Sequence, residues 1–208
     1  MPAGSAFDFN LTIWLFRHLA AGTHAGRPRG ILRIWPVWEA IEHSRRPLFP
    51  IPEARYGVFK ICLTSHRGEA VVLRDGSTIN RGDPVAEVHA DNRALLALMP
   101  AEGRWPLQGV LGSDLRALAV WVGSEGAPPV KALHGVTLVS AGAARLGFER
   151  RERPRRFWSG LERFYMSGLL AVYTPEGIER VARGHTREMH AQEIWMSQAE
   201  LLRRYGTA

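Results

Sequence analysis

The stretch "GDPVAEVHADNRALL", Gly82 to Leu96, decides the fold class. Gly82 and Pro84 belong to a turn. From Val85 to His89 the residues alternate, with Ala86, Val88 and Ala90 on one side and Val85, Glu87 and His89 on the other, as a half-buried strand does. Asp91 and Asn92 then stand where a helix N-cap is wanted, ahead of Leu95, Leu98 and Met99. A strand handing over directly to a helix fits an α+β protein.

Working outward, the neighbouring segments are β-rich. In "GVFKICLTSH", Phe59, Ile61 and Leu63 alternate with Lys60, Cys62 and Thr64, which predicts a second half-buried strand. "AVVLR" and "STI" are two shorter strands around Asp75-Gly76, a pair suited to a type I′ hairpin turn. Together these four strands predict an antiparallel meander. Further on, "VKALHGVTLV" is a long strand, "SAGAARLG" a short helix stopping at Gly147, and "EIWM" a last strand. Gly135 within the long strand predicts a bulge or a close approach of another group.

Helices complete the reading. Ser113 or Asp114 is placed to cap a helix whose Leu115, Leu118, Ala119 and Val122 share a face, with "PAEGRWPLQG" before it as loop. Ser197 and Glu200 form a capping box for "QAELLRRY", closed by Gly206. Helices are also predicted over 12–21, along Ile31, Ile34, Trp35, Trp38 and Ile41, in "FWSGLERFYMSGLLAVY", and after Thr174-Pro175. The expected architecture is α+β: a mixed or mainly antiparallel sheet flanked by helices. Residues 1–30 form an N-terminal helical extension, and 31–208 a single domain.

Composition narrows the function classes. One cysteine, Cys62, excludes an internal disulfide framework and a cysteine-rich zinc site. Among apolar neighbours it reads as a structural thiol. No run approaches the ~20 apolar residues of a membrane span. Arg17 and His18 interrupt the apolar "LTIWLFRHLAA", so no export signal is expected. The expected location is the cytoplasm, at most peripheral at the inner membrane face. A net charge of +7 favours acidic partners.

Two clusters carry candidate chemistry. Glu87 and His89 share a strand face, where a carboxylate beside an imidazole stabilises its charged form. Asp91 follows at the strand end, and His134 interrupts the apolar run of another strand. Glu87, His89, Asp91 and His134 are the catalytic candidates, for acyl-transfer or hydrolase chemistry. The competing reading is a solvated strand, an ordinary cap and a hydrogen-bonded core histidine. The second cluster is basic: Arg150, Arg151, Arg153, Arg155 and Arg156 in "RRERPRR", read as a loop before aromatic residues. Such a loop suits an anionic membrane surface. Nucleic acid is the weaker partner class, because no RNP, KH or zinc-finger pattern occurs.

His185, Glu188, His190 and Glu193 in "HTREMHAQE" include metal-ligand types, but their spacing matches no zinc motif and no metal site is assigned. With no Walker loop, no G-x-G-x-x-G and no G-x-S-x-G elbow, no cofactor is expected.

Four ordered blocks together resemble the YkoP-like family of bacterial proteins: "LRIWPVWEAIE" from Leu32, "DGSTINRGDPVAEVHADNRALL" from Asp75, "HGVTLVSAGAARLGFE" from His134, and "WMSQAELLRRYG" from Trp195. The resemblance runs over roughly residues 31–206. Domains of this kind are largely uncharacterised and occur alone or joined to polysaccharide deacetylase domains. The resemblance therefore implies an accessory role in cell-envelope glycan or lipid metabolism, with an anionic lipid or an envelope glycan as partner. It carries over no catalytic residues. "ARLGFE" also looks like the late helix-to-strand junction of GNAT acetyltransferases, but the Gly-rich segment that would hold a pyrophosphate is missing.

Overall fold

A computed structural model describes residues 47–91, 94, 107–137, 140–152 and 192–206. The chain divides into two units, and these residues all belong to the one comprising 46–153 and 192–208. The helices expected before residue 46, those expected between 154 and 191, and the helix of Leu95, Leu98 and Met99 lie outside the described residues.

Among the described residues, eight strands and three helices follow in order: β1 (Phe49–Pro50), β2 (Phe59–Ser65), β3 (Val71–Val72), β4 (Thr78–Ile79), β5 (Pro84–Ala90), α1 (Leu107–Gly123), β6 (Ala132–Thr137), α2 (Ser140–Arg145), β7 (Glu149–Arg151), β8 (Gln192–Ser197) and α3 (Gln198–Tyr205). Six strands form one sheet in the order β1-β2-β5-β6-β8-β7. The β5–β6 pair is parallel and the others are antiparallel. The sheet is therefore mixed, and the domain is α+β as expected.

The meander expectation is corrected. β2 pairs with β5 directly, while β3 and β4 leave the sheet as a separate two-stranded hairpin. The reason is burial: Leu73 and Ile79 insert against Val85, Ala132 and Trp195 on a face of the main sheet. The type I′ turn is corrected as well. Leu73 and Ser77 bracket three residues, the Gly76 amide donates to the Leu73 carbonyl at 2.9 Å, and only Gly76 takes positive φ, at 84°. A three-residue loop ending in a left-handed glycine needs one such residue rather than two.

Alternation sorts the sheet into two faces. Phe59, Ile61, Ala86, Val88, Leu133, Ile194 and Met196 pack into the main core with Leu111, Leu115, Leu118, Ala119 and Val122 of α1 and Leu201 of α3. This is the helical face. Gly135 also lies on it, and a Cβ there would stand 3.1 Å from the Val88 carbonyl oxygen and 3.3 Å from Ile194. Of the two expectations for this glycine, close approach is the one observed.

α1 begins at Leu107, earlier than predicted, so Asp114 is a mid-helix residue and not a cap. Pro106 immediately precedes Leu107 in sequence, a placement proline favours at helix starts. Asp114 is fully buried and serves another segment. Its carboxylate accepts the amides of Tyr56 at 3.1 Å, Val58 at 2.7 Å and Phe59 at 3.4 Å, pinning the entry of β2 to the helix. Half of the expected capping box at α3 is present: the Ser197 side chain accepts the Glu200 amide at 2.9 Å and Gly206 is the C-cap, while the Glu200 carboxylate turns to Arg203 and Arg204.

Candidate functional site

The second face of the sheet carries the candidates. Register places Cys62 opposite Glu87, Glu87 opposite His134, His134 opposite Trp195, and Trp195 opposite Glu149. One row across five strands thus reads Cys62, Glu87, His134, Trp195, Glu149. Beside it, Lys60 is the partner of His89 on one side, and Glu193 the partner of Arg151 on the other.

Glu87, His89 and His134 therefore share a face. The Glu87 Oε2 and His89 Nε2 atoms stand 3.5 Å apart, with the two side chains 27% and 26% exposed. Solvent can reach the pair, although Nε2 itself is shielded. The distance allows an ion pair when the imidazole is protonated, and a carboxylate so placed restricts how the ring turns.

Asp91 continues the same strand face but is occupied. Its Oδ1 accepts the Ala94 amide at 3.1 Å, the cap expected of it, and its Oδ2 holds the Lys60 ammonium at 2.7 Å. Lys60 is a member of this face that sequence reasoning passed over. Alternation had already placed it opposite Phe59 and Ile61, so the signal was present without a partner strand to aim it at.

His134 stacks on the Trp195 indole, with ring centroids 4.1 Å apart and 29° between planes. His66, from the loop after β2, meets the same indole edge-on at 5.3 Å. Trp195 is buried, and its Nε1 donates to Glu193 Oε2 at 3.3 Å. The histidine is thus held flat against an aromatic platform.

The β3–β4 hairpin covers the Trp195 end of this face and is tied down by polar contacts. The Ser197 hydroxyl donates to Asp75, the Arg74 amide donates to Glu149 Oε1 at 2.5 Å, and the Arg151 guanidinium donates to the Val72 carbonyl. Burial pushes the Asp75 carboxyl up, but the Ser197 hydroxyl and the Ser77 amide and side chain outweigh it and hold the group below its ordinary value. In the turn before β5, the Lys131 ammonium hydrogen-bonds Asp83 at 2.7 Å. With the Asn80 amide, it keeps that carboxyl low.

The basic cluster divides. Arg150 and Arg151 lie in β7, the edge strand that "FER" (Phe148 to Arg150) predicts, which runs one residue further into "RRERPRR" than expected because Arg150 and Arg151 pair with Ile194 and Glu193 of β8. Alternation sends them to opposite faces: Arg150 is exposed, and Arg151 is drawn onto the hairpin. Arg153, Arg155 and Arg156 lie outside the described residues, as do His185, Glu188 and His190. Among the described residues, no group of three or more His, Cys, Asp and Glu side chains is placed to hold a metal ion. None of the described helices is long and apolar enough to cross a membrane. Cys62 is buried, with its sulfur 3.8 Å from the Leu63 carbonyl oxygen, in keeping with a structural thiol.

The geometry defines a class: an α+β domain on a mixed sheet, one face closed by helices and the other bearing a carboxylate–imidazole pair and a stacked histidine. The YkoP domain family matches residues 28–205, and the chain belongs to that family. It is 26% identical over 124 residues to the "Uncharacterized protein YkoP" of Bacillus subtilis (strain 168), an alignment covering 57% of this chain and 68% of the relative. No solved structure matches the chain.

Proposed function

We propose that this YkoP-domain protein is an accessory component of cell-envelope glycan metabolism, and that its ligand lies on the polar half of the second sheet face. One observation carries the proposal: Glu87, His89 and His134 gather on one face, through alternation along β5 and its register with β6. A carboxylate accepts hydrogen bonds, and a neutral imidazole both donates and accepts. A sugar ring presents the complementary hydroxyls. The envelope direction comes from the family, whose members are also found joined to polysaccharide deacetylase domains. Arg150, exposed on the edge strand, and the arginines after it in sequence would add docking on an anionic surface.

A hydrolase reading has its own support. The Glu87–His89 arrangement orients an imidazole that could take a proton from water, as a general base does. Calorimetric titration of the full chain with oligomers of N-acetylglucosamine and of glucosamine tests both readings. Binding that weakens at least tenfold in Glu87→Gln and in His134→Ala supports the proposal. Binding unaffected by either change, or no binding at all, overturns it. Release of shortened oligomers by the wild type, lost in His89→Gln, moves the assignment from accessory protein to hydrolase.

A further inference from the structure

Charge is divided between the two sides of the sheet. The three helices carry Arg116 in α1, Arg145 in α2, and Arg203 and Arg204 in α3, against two carboxylates, Asp114 and Glu200. Asp114 is buried, so Glu200 is the one that offsets the arginines at the surface. Arg150 adds a cation at the edge of the same side, where its register partner Ile194 belongs to the main core. All five arginines are exposed. On the opposite face the balance is reversed, with Glu87, Asp91, Glu149 and Glu193 against Lys60 and Arg151.

Local contacts gather the helical arginines around Tyr205. A Cβ placed on Gly112 would lie 3.8 Å from the Tyr205 ring, and Arg116 follows Gly112 by one turn of α1. The Tyr205 hydroxyl donates to the Leu146 carbonyl at 2.9 Å, next in the chain to Arg145. Arg204 lies across Gly147, where a Cβ would stand 2.6 Å from its Nε. Burial holds the Tyr205 phenol above its ordinary value, against the pull of the Arg204 and Arg116 charges. Arg203 and Arg204 share the Glu200 carboxylate, which leaves one positive charge over from that trio. Val120, one turn beyond Arg116, is 49% exposed and sets an apolar group among the cations.

We propose that the outer surface of this helical layer, Arg116, Arg145, Arg150, Arg203 and Arg204 around Val120, docks on an anionic phospholipid bilayer. Guanidinium forks match lipid phosphates, and an aliphatic side chain among cations suits the bilayer interface. Nucleic acid asks for a continuous basic groove and for aromatic rings free to stack. The rings here, Trp121 and Tyr205, are half-buried against the core. Docking in this way leaves Glu87, His89 and His134 on the far side of the sheet, turned from the lipid. It rests on the anionic-surface part of the proposed function and not on the glycan part.

Co-sedimentation of the full chain with mixed phosphatidylglycerol–phosphatidylcholine vesicles tests it. Binding should require phosphatidylglycerol and weaken with added salt. Each basic residue at such a surface contributes roughly fivefold in affinity. Arg116→Gln with Arg145→Gln should therefore weaken binding about 25-fold. Should that double variant not fold, Arg116→Gln alone should weaken it about fivefold. These losses support the docking whether or not glucosamine oligomers bind. No binding by the wild type, or binding insensitive to both variants, overturns the proposal. So does binding that these variants keep but that is lost on neutralising Arg153, Arg155 and Arg156. Tighter binding to a DNA duplex than to the vesicles, weakened by the same changes, overturns the lipid assignment in favour of nucleic acid.

Discussion

The two faces of the main sheet are covered by different means. The helical face is closed by area: α1 and α3 set Leu111, Leu115, Leu118, Val122 and Leu201 on Ile61, Ala86, Leu133 and Met196. The opposite face is closed at one end by a small hairpin. It contributes Leu73 and Ile79 and relies on polar ties from Asp75, Val72 and Arg74. Beyond the hairpin that face carries Lys60, Glu87 and His89, all partly exposed, beside an exposed Val136. Apolar closure fixes a scaffold with little chemistry. Polar closure leaves hydrogen-bonding groups at the surface, and the candidates for function are found there.

Asp114 breaks the simple form of this contrast, because it is a buried carboxylate inside the apolar layer. Substituting Asp114→Ala should give the largest effect. It leaves three amides without their acceptor, those of Val58 and Phe59 being buried. Each orphaned buried donor costs about 1–3 kcal/mol, so a loss of about 3–5 kcal/mol is expected in urea unfolding. Asp114→Asn should cost less, since one acceptor oxygen remains. A loss below about 1 kcal/mol for the alanine variant would mean that apolar area alone holds α1 to the β2 entry.

Much of this contrast was legible in the sequence and some was not, for a common reason. Strand alternation is local, so Phe59 and Ile61 on one side and Glu87 and His89 on the other followed from spacing. Pairing is nonlocal. Nothing in "AVVLR" or "STI" states that β2 will bypass both and join β5, nor that β5 will lie parallel to β6 and bring Glu87 beside His134. The α1 start was missed because Gly109, Gly112 and Asp114 resemble an end and a cap. The carboxylate's partners lie 55 to 58 positions away in the chain. Lys60 was visible as a polar strand residue, but its meaning depended on His89 and Asp91.

Ser197 sharpens the contrast, since it joins both covers. It caps α3 over the helical face, and its hydroxyl donates to Asp75 in the hairpin over the other. Ser197→Ala should therefore cost about 1–2 kcal/mol for the cap, with a further contribution from the lost tie. Exchange should speed up at Leu73, Gly76 and Ser77 in the hairpin as well as in the first turn of α3. If only α3 responds, the hairpin is held by Leu73 and Ile79, and the two faces differ less than their contacts suggest.

Glu200 supplies the smallest effect, because its partners are at the surface. Arg203 foremost, and Arg204 with it, draw its carboxyl down to about 2 against the outward push of partial burial. Arg203 engages it through two nitrogens, at 2.7 and 2.8 Å. A carboxyl depressed in the folded state adds stability above its unfolded value near 4.5. That contribution fades as pH falls from there toward about 2. Arg203 is 67% exposed, so solvent screening limits the gain to about 1 kcal/mol or less. Thermal melts from about pH 5 down to about pH 2 should show the wild type losing its advantage over Glu200→Gln by that amount. A Glu200→Gln protein already as stable as the wild type at pH 5 would place the hold on α3 in Leu201 and the Ser197 cap, leaving the helical face closed by area and one buried carboxylate.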